Sequence, residues 1–432
     1  CIGLIALKRP FHKIMTGTLK PILGYLMLAA GAGVIVSNLD PLGKMIEHGF
    51  HITGVVPNNE AIVAVAQKVL GVETMSILVV GLLMNLCIAR FTKFKYVFLT
   101  GHHSLFMACL MSAVLGTAGL SDMELILVGG FLMGAWSAIS PAIGQSYTSK
   151  VTDGDEIAIG HFGSLGYYLS AWVAKYVGKA EDSTEDIEIP EKWGFLRDST
   201  LSTALTMIVF YLIAAFAAGS EFVATLSGDM SPYLYAVMSA MNFAVGVTIV
   251  YSGVRMILGD LIPAFQGIAT KIIPNAIPAV DCAVFFTYAP TAVVLGFLSS
   301  FIGGIIGMLI LGAVGGVLII PGLVPHFFCG ATAGIYGNAT GGRRGAAVGA
   351  FLNGLAITFL PALALPVLGQ LGFQNTTFGD ADFAVMGLVL GNAYEWVGMA
   401  GIYGIVAIAA LVLIVPNFIK TKGKVINYVE ED

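Results

Sequence analysis

The sequence predicts an all-α polytopic membrane protein of about 10–11 transmembrane helices, with re-entrant hairpins and an inverted structural repeat. Three observations predict it. The 432 residues are 57% hydrophobic and only 11% charged, with a mean hydropathy of +0.87, whereas soluble domains carry about 25% charged residues. Apolar runs of about 17–25 residues, the length that crosses a bilayer as helix, recur along the chain. The alternating segments of an outer-membrane barrel are missing.

A further observation, an internal echo, predicts the repeat. Val56-Pro57-Asn58-Asn59-Glu60-Ala61 is answered by Ile277-Pro278-Ala279-Val280-Asp281-Cys282. In both, an acid follows a proline by three residues, and the chain then turns apolar. Around this pair, Leu39-Asp40-Pro41 matches Leu261-Ile262-Pro263, His102 matches His326 and Pro141 matches Pro361, in the same order. Such order at nearly constant offset points to a duplication of about 100 residues.

Taken in order, a basic cluster at Lys8, Arg9, Lys13 and Lys20 precedes an apolar span at about 21–37. Residues 38–70 read as an amphipathic piece followed by a re-entrant hairpin around Pro57. Spans follow at about 72–90, 96–119 and 122–141. The second of these contains Thr100-Gly101-His102-His103-Ser104, too polar to face lipid. Residues 142–200 are the least hydrophobic and end in a charged connector from Lys175 to Arg197. Spans resume at about 201–226 and 231–256, then re-entrant chain around Pro278 and Asp281. Further spans run at about 291–313, 314–336, 345–370 and 384–415, the last interrupted at Asn392–Trp396. The units expected are a first repeat over 1–141, with the end of a truncated N-terminal helix, and an amphipathic cytoplasmic connector over 142–200. A second inverted repeat over 201–370 and a C-terminal helix with its cytoplasmic tail over 371–432 complete the chain.

Charge orients these spans. With Lys8–Lys20 in the cytoplasm, Arg90/Lys93/Lys95, Lys150, Lys175–Arg197, Arg255, Arg343/Arg344 and Lys420–Lys424 all fall inside. The loops assigned outside carry only Lys44. Pro57 then enters from outside and Pro278 from inside, the antiparallel geometry of an alternating-access transporter.

The net charge of −5 is thinly spread, and no basic run suggests nucleic acid. The five cysteines lie in or beside apolar segments without metal spacing. Gly330–Gly342 lacks the Gly-Lys-Ser/Thr of a phosphate-binding loop. No catalytic residue, metal site or cofactor is expected. A carboxylate buried in a membrane costs about 2.5–3.5 kcal/mol even on lenient scales, so Glu60 and Asp281 are candidates for substrate contact, or for caps of broken half-helices. Asn58 and Asn59 share the first hairpin tip, and Gly101, His102 and His103 the polar helix start. His161 and His326 are the remaining candidates, His326 through its place in the repeat.

Dispersed motifs carry a resemblance. They are Cys1-Ile2-Gly3, Leu99-Thr100-Gly101-His102, Val151-Thr152-Asp153-Gly154 with Ile159-Gly160-His161, and Ser183-Thr184-Glu185-Asp186-Ile187. Gly253-Val254-Arg255-Met256, Val280-Asp281-Cys282-Ala283, and Ile319-Ile320-Pro321-Gly322 with Phe327-Phe328 continue the series. On these the chain resembles, over essentially its whole length, the ascorbate-specific enzyme IIC permease component of the bacterial phosphoenolpyruvate-dependent sugar phosphotransferase system. The resemblance implies a homodimer of eleven-helix protomers in the bacterial cytoplasmic membrane. Each protomer would have a substrate-holding core domain and a V-shaped dimerisation domain, with one further helix before Cys1. It implies substrate contacts at His102, His161 and Asp281, with the Pro57–Glu60 tip contributing. It also implies L-ascorbate or a related sugar acid as substrate, and cytoplasmic enzyme IIB and IIA components as partners. The chain departs from the family pattern at Phe106 and Phe162, where glutamines are expected. The alternative from the residues alone is an ion-coupled secondary symporter with inverted repeats, its ions or protons held at Glu60 and Asp281.

Overall fold

The computed structural model describes residues 2–51, 54–57, 59–120, 122–187, 199–369 and 376–418. Of the positions singled out above, Cys1, Asn58, Arg197 and Lys420–Lys424 lie outside the described residues, as do the side chains of Glu60 and Pro263.

Helices dominate. Seven described helices are long and apolar enough to cross a membrane, or eight if the bent pair Thr203–Ala218 and Ser220–Ser227 is one span. This set of apolar spans is that of a multi-pass membrane protein. The first span is longer than its apolar run suggests. α2 (Phe11–Phe50) continues through Pro21 and Pro41, so the polar stretch 38–50 extends the helix instead of leaving it. It packs with α1 (Ile2–Ala6), α7 (Ser199–Ala218), α8 (Ser220–Ser227) and α9 (Pro232–Lys271) as one group of helices.

The remaining elements form two series of the same kind. The first runs β1 (Val56–Pro57), α3 (Asn59–Phe91), β2 (Tyr96–Phe98), α4 (Gly101–Thr117), α5 (Asp122–Thr152), β3 (Ala158–Ile159) and α6 (Ser164–Val177). The second runs β4 (Ile277–Val280), a 3-10 turn (Cys282–Thr287) with α10 (Pro290–Ala313), α11 (Leu323–Gly369), β5 (Thr376–Thr377) and α12 (Ala381–Val397). α13 (Met399–Phe418) follows. α3 is broken at Leu70, matching the division between the 3-10 turn and α10. α11 is broken at Gly341 and Gly342, so its two arms answer α4 and α5. Gly342 has φ +60°, a backbone conformation that a side chain disfavours. The two arms are the two spans expected there, and the interruption expected at Asn392–Trp396 falls at Gly398, between α12 and α13.

The series interlock through their strands. β1 pairs in parallel with β5, and Val55 bridges to Ile319, both in the second series. β4 pairs in parallel with β2 and β3, both in the first. Each proline-bearing strand is therefore completed by the other series. This satisfies backbone groups that lipid would leave unbonded, through bonds such as Gly160 N–H to Val280 O at 2.7 Å and Leu99 N–H to Ala279 O at 2.9 Å. A Cβ on Gly160 would stand 2.4 Å from Ala279 O, so this crossing requires glycine. α4, α6 and α12 have only 17, 14 and 17 residues because each starts beside a strand within the bundle.

α5 runs past Pro141 to Thr152, and α6 packs against α11. The charged chain after α6 is docked where it is described. Arg343 N–H donates to Asp182 O at 2.8 Å and Thr184 N–H to Asn338 Oδ1 at 2.8 Å, which closes the break in α11. Glu185 accepts from the N–H groups of Thr291 and Ala292, each at 3.1 Å, and so caps α10.

Candidate functional site

A cavity of about 1080 Å³ lies between α2 and the strand cluster. Its polar end is set by short elements. Asp281 ends β4 and caps the 3-10 turn, its Oδ1 accepting from Ala283 N–H at 3.0 Å. Its Oδ2 is buried and accepts no hydrogen bond among the described residues. His102, in the first turn of α4, brings Nε2 to 3.4 Å from that oxygen.

Behind them, His103 and His161 lie with ring centroids 3.7 Å apart, both buried. Each ring is fixed through Nδ1. Phe162 N–H donates to His103 Nδ1 at 3.3 Å, and Gly163 N–H to His161 Nδ1 at 3.1 Å. A backbone N–H can only donate, so both Nδ1 atoms are acceptors and the neutral rings carry their proton on Nε2. Tyr167 Oη lies 2.8 Å from His161 Nδ1, and Phe383 stacks on His103. Phe162 reaches His103 with its backbone while its ring stacks on Phe98 at 4.6 Å. Phe106 lines the cavity. Aromatic surface thus stands where the resemblance led us to expect two amides.

The first hairpin tip meets the second series here. Asn59 Nδ2 donates to Asp380 Oδ2 at 2.5 Å, and its Oδ1 accepts from Gly379 N–H at 2.9 Å. Asp380 Oδ1 accepts from Cys329 Sγ at 2.8 Å. Two residues on, Asp382 is fully buried and collects Trp136 Nε1 at 3.1 Å, Ser164 Oγ at 2.8 Å and Leu165 N–H at 2.9 Å. It ties α5, the start of α6 and α12 together, and so holds the turn that carries His161.

Of the sequence candidates, Asn59, His102, His103, His161 and Asp281 line this one cavity. Gly101 opens α4 and is exposed, without lining the cavity. His326 lies elsewhere: it is buried between α10 and α11, with Nδ1 2.9 Å from Ser300 Oγ. Asp380 was not foreseen, nor was the long face of α2 (Tyr25, Leu28, Val36, Glu47) that forms the opposite wall. Gly379-Asp380-Ala381-Asp382 places two acids just before the last apolar run, a pattern that the start of a helix equally explains.

His103, His161 and Asp380 offer atoms within 4.8 Å of one another, a spacing that could suit a cation. The engaged Nδ1 atoms argue otherwise. A metal at Nε2 would have to displace the proton that those bonds place there. The set is better suited to a polar organic ligand: imidazole N–H groups for anionic or carbonyl oxygens, carboxylates for hydroxyl groups.

Comparison with known proteins bears on which ligand. Residues 1–382 match the family described as the sugar-specific permease component of the PTS system. The chain belongs to this permease family. It is also 27% identical over 399 residues to the "Ascorbate-specific PTS system EIIC component" of Mycoplasma pneumoniae. That match covers 78% of this chain and 59% of the relative, so the chain spans well under two thirds of that protein's length. Membership makes the chain a permease component of that system.

Proposed function

We propose that this permease carries L-ascorbate, or a close sugar-acid analogue, across the bacterial cytoplasmic membrane, coupled to phosphorylation by an enzyme IIB component that enzyme IIA recharges. The observation that carries the reading is Asp281 Oδ2, a buried carboxylate oxygen on the cavity that accepts no hydrogen bond among the described residues and has His102 Nε2 beside it at 3.4 Å. A ligand hydroxyl completes it. An analogue lacking that hydroxyl would leave the acid unpaired, which is how a buried acceptor gives selectivity. Ascorbate is an enolate at neutral pH, and the imidazole N–H groups supply donors for its charged oxygen. The ascorbate-specific name of the Mycoplasma relative supports the same substrate class.

The packing supports a movement of one group past the other. The two interlocked series would form the substrate-holding core, and the group α1, α2, α7, α8 and α9 the dimerisation domain. The cavity lies at their junction, so sliding of the core along α2 would expose its polar end to each side in turn. The group carrying α2 would meet its counterpart in a homodimer.

The test is transport in proteoliposomes with purified IIB, IIA and phosphoenolpyruvate, over a panel of sugar acids. Phosphorylated product that requires IIB is expected, with L-ascorbate or a near analogue preferred. Uptake of unmodified substrate, driven by an ion gradient and indifferent to IIB, would overturn the reading.

A further inference from the structure

Asp281 is one of two carboxylates on this cavity. Asp380 is also buried, with 4% of its surface exposed, and it lines the same space. The two acids have parallel settings. Asp281 follows β4 of the second series, which pairs with β2 and β3 of the first. Asp380 follows β5, which pairs with β1. Both sit just past a strand that crosses between the series.

Asp380 is oriented from its own wall. Asn59 and Cys329 donate to its two oxygens, one to each. A carboxylate has about four lone-pair directions, so each oxygen keeps one acceptor position. His103 and His161 bring ring nitrogens within 4.8 Å of it. A hydroxyl docked at the remaining positions would lie beside the imidazole that, on the reading above, holds the same ligand.

We propose that Asp380 is a second hydroxyl-reading acid of the transport site, accepting from a ligand hydroxyl distinct from the one that Asp281 accepts. The inference rests on the proposed sugar-acid reading. Its ligand is a polyol with at least two separated hydroxyl donors away from its charged end. Ascorbate meets this description, because its enolate lies on the ring and its two side-chain hydroxyls are neutral.

Binding of L-ascorbate and of its 5-deoxy and 6-deoxy analogues to the purified full chain, by titration calorimetry, tests this. Wild type, Asp281→Asn and Asp380→Asn are compared. In wild type, loss of the hydroxyl read by Asp380 should weaken binding about ten- to a hundredfold. In Asp380→Asn that analogue and L-ascorbate should bind within about twofold of each other, since the charged acceptor is gone. An undiminished penalty in Asp380→Asn overturns the proposal. If Asp380→Asn does not yield a monodisperse protein, Asp281→Asn decides. Two acids reading separate hydroxyls leave one penalty standing in that variant, and its disappearance overturns the proposal. Wild type that binds no sugar acid rejects the parent reading and this one together. Wild type that binds L-ascorbate with no penalty for either analogue rejects only this one.

Discussion

His102 Nε2 stands 3.4 Å from Asp281 Oδ2, and that oxygen accepts no hydrogen bond among the described residues. The two residues come from opposite series of the fold, and the site exists only where the series meet. Asp281→Asn should therefore weaken substrate binding by about one to two decades, the worth of a charge-assisted hydrogen bond of about 1.5–3 kcal/mol. Calorimetry on the purified variant measures it, and an affinity within about twofold of wild type would remove Asp281 from the site.

Gly160 offers a structural test. Its missing side chain leaves room for the Ala279 carbonyl, 2.4 Å from where a Cβ would stand. Gly160→Ala should destabilise the protein by about 1–3 kcal/mol, as overpacking does. Gly404→Ala, whose Cβ would meet nothing within 4 Å, should leave the melting temperature in detergent nearly unchanged. Equal melting temperatures for the two variants would count against the β3–β4 crossing.

Asp382 anchors three elements without lining the cavity. Asp382→Ala leaves the Trp136, Ser164 and Leu165 donors unpaired, each at a cost of about 1–3 kcal/mol. Lower thermal stability is expected, together with a changed Trp136 emission that distinguishes local loosening from a remote effect.

His326 separates the site from the scaffold. Its ring bonds Ser300 between two helices. His326→Gln should lower the melting temperature while weakening substrate binding far less than Asp281→Asn does. A loss of affinity matching that of Asp281→Asn would return His326 to the binding machinery.

Lys175 and Lys179 are exposed at and beyond the end of α6. If IIB docks here, reversing either charge should slow phosphorylation several-fold at low salt, and the difference should shrink as ionic strength rises past about 0.15 M. Rates that are insensitive to the reversals at low salt would make this stretch a connector only.

Much of this was legible in the sequence. A scarcity of charge gave the class, because lipid admits few ionic groups. The two Pro-x-x-acid stretches, being polar islands, marked the strands β1 and β4. The family resemblance grouped His102, His161 and Asp281, and all three line one cavity. Other features left no such trace. Strands of two to four residues have too little length to show a period, so the pairing of β1 with β5 could not be anticipated. Asp380 reads locally as a residue before a helix, and only the clamp from Asn59 brings it to the cavity. The length of α2 was hidden by the polar residues on its final turns, among them Asp40 and Lys44, which pair at 2.8 Å along the helix.

The exchange of strands between the series has a consequence for how such a chain could arise and be divided. A half-length chain carrying one series alone would leave its proline-bearing strand without a neighbour, and unpaired backbone inside a bilayer is not tolerated. Two copies of such a half, inserted in opposite senses, could each lend the other the missing neighbour. On this view the covalent link through α7–α9 is dispensable for assembly of the core. Fragments cut within 188–198 and co-expressed should find each other in the membrane, whereas either fragment alone should be degraded.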